Sequence, residues 1–339
     1  MSTYSQTLSS HGEILANIPG ILGFYPQKSL VLAFFERNDD TRSVSLGPLA
    51  RLDLDGAIQQ LTEDREKFAA WARGLDLEAV AAYVVTDDMV EADVITHFLC
   101  SEDSPLPSTV LAVIQTSEST AGTAWCAVYL HPNSGEPQAS RISDIHASAA
   151  LQQMLHHTGD LPALSREEIE TRLNSTEHGI SAAEHNDIVE DALAYVPPIF
   201  RDVLQREYEQ AAAGMTQPST RAIRSALKCF TTPRLRDPLL AALLEEPQAG
   251  LKFAEQVMRA VPASWPGMRA QLTATVAVLA QATGQTGLAG VAAHRATEIS
   301  STESFPSLVA KLIDIGEGGR LAEVVHEGGA QARVQLFED

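Results

Sequence analysis

The sequence predicts an α/β (α+β) N-terminal domain built on a mixed sheet, followed by an all-α C-terminal domain of helical hairpins. Three observations carry this expectation. From Gly12 to about Leu130, short apolar runs without alternation, suited to strands covered on both faces, interleave with segments of helical spacing. Beyond Ser181 the strand signals disappear until the tail. In that second half Pro197-Pro198, Pro218, Pro233, Pro247, Pro262 and Gly284 cut the chain into pieces the length of single helices. At 339 residues there is room for two domains. The expected division is a flexible N-terminus over 1–11, the α/β domain over 12–175, the helical domain over 182–318 and a tail over 319–339.

The run from Ile18 to Phe35 reads as the end of a short helix, a tight loop and a buried strand. Gly23 can take backbone angles closed to other residues, and Pro26 fixes its own φ and pushes Tyr25 extended. Leu30–Phe35 is the strand. Asn38-Asp39-Asp40 supplies a turn, and an extended piece ends in Ala50–Leu54, with Arg51 and Asp53 on one face and Leu52 and Leu54 on the other. Glu63–Arg73 reads as a helix through Phe68, Trp71 and Ala72, ended by Gly74. Ala79–Val85 is a second buried strand and Met89–Leu99 a short helix. The segment Ser104–Ser108 leads to strands at Thr109–Gln115 and Thr123–Leu130, with a turn at His131–Gly135.

Ser143 to about Thr158 has helical character, and Ser165 with Glu168 forms a capping box for the next helix. Eight helical segments follow, near 183–195, 198–213, 219–230, 237–246, 248–260, 267–283, 286–299 and 305–315. Gly284, Ala289 and Ala296 match the small-residue spacing of a tetratricopeptide helix pair, but a single unit does not make a solenoid, so a generic helical hairpin is expected. The tail reads either as a hairpin turning at Gly328-Gly329 or as a frayed end.

Lys+Arg 24 against Asp+Glu 44 gives a formal net charge of -20. Such a field repels phosphate backbones and anionic lipid, so nucleic acid is disfavoured overall and no membrane contact is expected. Met1–Ser10 has neither a cationic start nor an apolar core, and no apolar run approaches the roughly 18 residues of a spanning helix. Cys100, Cys126 and Cys229 are odd in number and widely spaced, which suits reduced thiols in a cytoplasmic protein. Only Cys229, beside Lys228, has a hint of the electropositive setting a reactive thiol needs.

The stretch Ile18–Phe35 resembles the opening motif of an uncharacterised actinobacterial family, domain of unknown function 4192. Arg51-Leu52-Asp53-Leu54 is similar to the family's arginine–aspartate element, and Ser165-Arg166-Glu167 to its serine–arginine–glutamate helix start. Leu279–Leu312, with Arg295-Ala296, resembles its C-terminal helical portion. The chain departs where Tyr25 stands for a frequent histidine and where Ser300-Ser301 replaces an acidic helix end, so no histidine-based site is expected in the loop. The resemblance implies no settled activity and brings no catalytic residue.

Asp87 and Asp88 follow a buried strand at its carboxyl end, where open α/β sheets place ligand sites. With Asp53 they could perform acid–base work or meet a cation, yet capping of the helix at Met89 accounts for both. Arg51 and Asp53 either anchor a ligand or pair with each other. Lys28 and Ser29 follow glycine-bearing Gly23–Gln27, but neither the GxxxxGK[ST] order nor a following helix is present, so a P-loop is rejected. The ligand candidates are therefore Gly23, Lys28, Ser29, Arg51, Asp53, Asp87 and Asp88. No metal site is expected: His156-His157 point apart on a helix, and His178 and His185 sit in a polar connector. No nucleophile elbow exists, and no cofactor is implied.

Arg221, Arg224 and Lys228 share a helix face, with Arg234 and Arg236 just beyond. The stripe suits an acidic partner or nucleic acid, or pairing with acids inside the same protein. Trp71, Trp125 and Trp265 read as packing residues. With every catalytic template unmatched, the reading is a non-catalytic binding or regulatory module with a helical protein-contact surface. An enzyme or small-molecule receptor using the strand ends is the alternative, and nucleic-acid contact through 221–236 the second. A homo-oligomer is compatible with all three.

Overall fold

Helix α1 (His11–Leu22) opens the chain of a computed structural model that describes residues 10–38, 43–66, 68, 77–102, 104–106, 109–132, 137–174, 180–194, 201–231 and 233–337. Residues 1–9, the turn at Asp39-Asp40, the helix end at Trp71–Gly74, the segment end at Pro107-Ser108, the turn residues Asn133–Gly135, His178 and Pro197-Pro198 lie outside the described residues. The chain divides into two units, 1–156 with 160–165, and 157–159 with 166–339.

In the first unit, Ser10 caps α1 by accepting the Glu13 N–H, and Gly23 ends it in the left-handed region at φ 75°, donating its N–H to Pro19. The strands are β1 (Ser29–Asn38), β2 (Ser43–Asp53), β3 (Leu77–Val85), β4 (Thr109–Thr116), β5 (Ala124–Leu130) and β6 (Ala139–Arg141). Helix α2 (Ala57–Glu63) follows β2 and α3 (Met89–Leu99) links β3 to β4. The sheet order is β2-β1-β3-β4-β5-β6, with β3 and β4 parallel and every other pair antiparallel. It is the expected mixed sheet.

Alternation divides its two faces. Leu30, Leu32 and Phe34 of β1, Leu52 of β2, and Val80, Ala82 and Val84 of β3 form one core with Ala57 and Leu61 of α2 and Ala92, Ile95 and Leu99 of α3. On the opposite face lie Val31, Arg51 and Tyr83, which share one register row. There His11 of α1 takes a 3.0 Å hydrogen bond between its Nδ1 and the Tyr83 hydroxyl, and its ring meets Trp125 edge-on. The central strands are therefore buried on both sides, which is why Leu30–Phe35 and Ala79–Val85 show no polar alternation.

One local expectation needs correction, and two elements were not anticipated. Helix α2 (Ala57–Glu63), which sends Ala57 and Leu61 into the core, is an element the sequence did not announce; of the expected helix Glu63–Arg73, Arg65, Glu66 and Phe68 are helical after the turn at Asp64. The segment 143–158 is not one helix: a 3-10 turn at Ile145–Ala147 precedes α4 (Ala149–Thr158), with Asp144 capping the turn. The short exposed strand β6 gave no apolar signal to read.

The second unit contains α5 (Arg166–Asn174), α6 (Ala182–Ala194), α7 (Arg201–Ala212), α8 (Thr220–Phe230), α9 (Pro233–Glu245), α10 (Pro247–Ala260), α11 (Pro266–Ala282), α12 (Thr286–Ile299), α13 (Ser304–Asp314) and α14 (Gly318–Phe337). It is a run of packed helices, as expected for the all-α half. Helix α5 groups here and not with the sheet. Its Arg172 pairs with Glu255 at 2.5 Å, and Arg269 donates to its last carbonyls, Leu173 and Asn174. Helix α11 is buried nearly all round and forms the centre, and α12 packs on it through fully buried Ala289 and Ala296 after a left-handed turn at Gly284. The tail is a single helix, α14, and neither a hairpin nor a frayed end. Gly329 does not turn the chain: it lets α14 lie against α9, where a Cβ would collide with the Asp237 carbonyl oxygen.

Candidate functional site

The row Asp53, Ser29, Val85, Thr116 and Trp125 marks one margin of the sheet, where β2, β3 and β4 end and β1 and β5 begin. The β3–β4 pair is parallel here, so the carboxyl ends of two parallel strands open at this margin. A cleft of about 540 Å³ lies there, lined by Lys28, by Leu54, Gly56, Ala57 and Ile58, by Thr86, Asp87 and Asp88, and by the α3 residues Val90, Glu91, Val94 and Ile95.

The chain folds tightly around it. Lys28, at φ 41°, is the one non-glycine residue in the left-handed region among the described residues, and its carbonyl accepts the Leu54 N–H at 2.9 Å. Thr86 is buried; its Oγ1 accepts the Asp88 N–H at 3.2 Å and donates to Glu91 Oε2 at 2.9 Å. The Thr86 N–H donates to the Thr116 carbonyl, and its own carbonyl accepts from the Gln115 amide, so the first turn of α3 is bolted to β4. Asp88 is the N-cap of α3, accepting the Val90 and Glu91 N–H groups at 2.8 and 3.3 Å. Asp87 is exposed.

Arg51 and Asp53 belong elsewhere. They sit on the sheet face of Tyr83, whereas the cleft-lining Leu54, Ala57 and Ile95 belong to the core on the other face. Arg51 is nine-tenths buried; its Nη2 pairs with Asp53 Oδ1 at 2.7 Å, its Nε donates to Ser29 Oγ at 2.9 Å, and its guanidinium lies 5.9 Å from the Phe24 ring centroid. Ser29 Oγ in turn donates to the Gln27 carbonyl at 2.7 Å. Gly23 faces a third direction, its carbonyl accepting the Ala163 N–H at 2.9 Å. Of the seven ligand candidates, Lys28, Asp87 and Asp88 meet in the cleft, while Gly23, Ser29, Arg51 and Asp53 hold the strand entry together.

The sequence reading missed Thr86, Glu91 and the apolar lining. Glu91, three residues after the Asp88 cap, was legible as a first-turn acid, but its partner Thr86 is set by the fold.

In the helical unit the basic stripe is largely paired. Arg224 pairs with Glu184, Lys228 with Glu207 at 3.1 Å, and Arg236 with Asp237 at 2.8 Å while stacking 4.6 Å above Phe305. Arg221 and Arg234 are exposed. Cys229 is fully buried, and burial together with Glu207 pushes its thiol far up, so the electropositive setting suggested by Lys228 does not form. Among the described residues no three His, Cys, Asp or Glu side chains group as metal ligands, and no helix is long and apolar enough to cross a membrane.

Fold and cleft together define a protein with a mixed-sheet unit and a unit of packed helices. The family model described as domain of unknown function (DUF4192) matches residues 12–317, and the chain belongs to that family. No curated protein and no solved structure matches the chain.

Proposed function

We propose that the protein is a non-catalytic binding module and that the sheet-margin cleft is its binding site. The observation that carries this reading is how the carboxylates are used. A general acid or base needs a carboxyl free to reach the reacting group, and Glu91 in the cleft is held by the Thr86 hydroxyl at 2.9 Å. Asp53 lies on the other sheet face, paired with Arg51, and Asp88 caps α3. The cleft is then an apolar floor of Leu54, Ala57, Ile58 and Ile95 rimmed by Lys28, Asp87, Asp88 and Glu91, a make-up usual for a binding site.

The helical unit as a protein-contact surface has separate support in its exposed apolar side chains Leu308, Ile315, Val324 and Val334. The 221–236 stripe supports nucleic-acid contact less well, since Arg224, Lys228 and Arg236 have acidic partners within the unit.

A thermal-shift screen of the full chain against nucleotides, metals, metabolites and peptides tests the proposal. A stabilising ligand should lose its effect in Asp87→Ala combined with Val94→Ser, two exposed positions whose replacement leaves the fold intact. A ligand whose shift survives in that variant binds elsewhere, and the cleft would not be the site.

A further inference from the structure

The cleft combines two surfaces that no single simple ligand satisfies. One wall of α3 is apolar and open to solvent: Val90 is 71% exposed and Val94 54%, with Met89 at 48% beside them. Side chains at i and i+4 share a helix face, so Val90 and Val94 form a continuous strip above Leu54, Ile58 and Ile95. The start of the same helix gathers Asp87, its cap Asp88 and the first-turn Glu91, and among the described residues Lys28 is the cation that lines the cleft with them.

Resting on the cleft being the binding site, we propose that its occupant is a segment of a partner protein carrying a lysine or arginine flanked by apolar side chains. Three exclusions lead there. An acidic segment meets three carboxylates in a chain of net charge -20. A wholly apolar segment buries the Asp87 carboxylate with nothing to replace its water. A small free cation satisfies the acids and leaves the valine strip uncovered. A basic side chain among apolar neighbours answers both surfaces, its long methylene stem lying along Val90 and Val94 while its head reaches Asp87. Lys28 donates to a carbonyl of the segment's backbone.

The experiment is selection of a random dodecapeptide phage library on the full chain. Recovered peptides are then measured by fluorescence anisotropy on wild type, on Asp87→Lys/Val94→Glu and on Arg221→Glu/Arg234→Glu. Enrichment of lysine or arginine between apolar residues is expected, with affinity falling about tenfold or more in the first variant and unchanged in the second. Binding should also weaken severalfold between about 50 and 500 mM NaCl. Peptides that are acidic or neutral, yet still depend on Asp87 and Val94, overturn the charge class and leave the cleft as the site. Full competition by spermidine overturns the peptide in favour of a small cation. Absence of any cleft-dependent peptide overturns the inference, while a non-peptide ligand lost in Asp87→Ala/Val94→Ser would still uphold the binding-site reading.

Discussion

Replacing Asp88 and Asp87 separately distinguishes a carboxylate that builds the cleft from one that serves it. Asp88 accepts two backbone N–H groups at the start of the 11-residue helix α3, at 2.8 and 3.3 Å. Asp88→Ala leaves those donors to water, at a cost of about 1 kcal/mol. For a unit of this size that lowers the melting temperature by roughly 2–4 °C. Asp88→Asn keeps an acceptor in place and loses only its charge at the helix N-terminus, a few tenths of a kcal/mol. Asp87→Ala, at an exposed position, should stay within about 0.5 kcal/mol of wild type. Differential scanning calorimetry of the full chain reads all three. If Asp87→Ala destabilises as much as Asp88→Ala, or Asp88→Asn as much as Asp88→Ala, the capping account is wrong.

Arg51 tests the strand entry. Arg51→Met gives up the bonds to Ser29 and to Asp53, itself 62% exposed, but also removes Nη1, a buried donor without a hydrogen-bond partner among the described residues; urea unfolding should show a change of only about 1 kcal/mol. Arg51→Ala additionally loses the stem and should cost roughly 2 kcal/mol more. At Gly329, a Val side chain would collide with the Asp237 carbonyl and with Ala241, so Gly329→Val should release α14. Tryptic cleavage at Arg320 and Arg333 would then accelerate while the remaining helices stay protected, and unchanged cleavage would refute the close crossing. His294 Nε2 lies 3.2 Å from Asp314 Oδ1 between α12 and α13, and that hydrogen bond raises its pKa against the opposing effects of burial and Arg166, with Glu298 adding to the rise. Since the folded value lies above the unfolded one, this stability is complete below about pH 6.5 and is lost as pH rises through the folded pKa. Asp314→Asn should flatten that part of the stability–pH curve, and an unchanged slope would refute the pairing.

Much of the fold was legible because it follows from local spacing. The apolar runs Leu30–Phe35 and Ala79–Val85 state two-sided burial directly, and Met89–Leu99 starts at an aspartate that can only help a helix. The tail misled because Gly328-Gly329 signals a turn by composition, whereas the need there was for close approach to α9. Strand β6 is three exposed residues whose pairing with β5 alone makes them a strand.

For the site, the sequence by itself determined that Arg51 and Asp53 share a strand face and that Asp87-Asp88 ends a strand and begins a helix. Those are matters of period and cap, fixed within a few residues of chain. Only the tertiary structure decided that the two acidic groups lie on opposite faces of the sheet. That depends on strand order and register, with Ser29 opposite both Asp53 and Val85. It likewise decided that Lys28, from another loop, stands with Asp87 around one cleft. Pairings between strands distant in sequence are selected by the burial of whole faces, and no local pattern encodes which margin two loops will come to share.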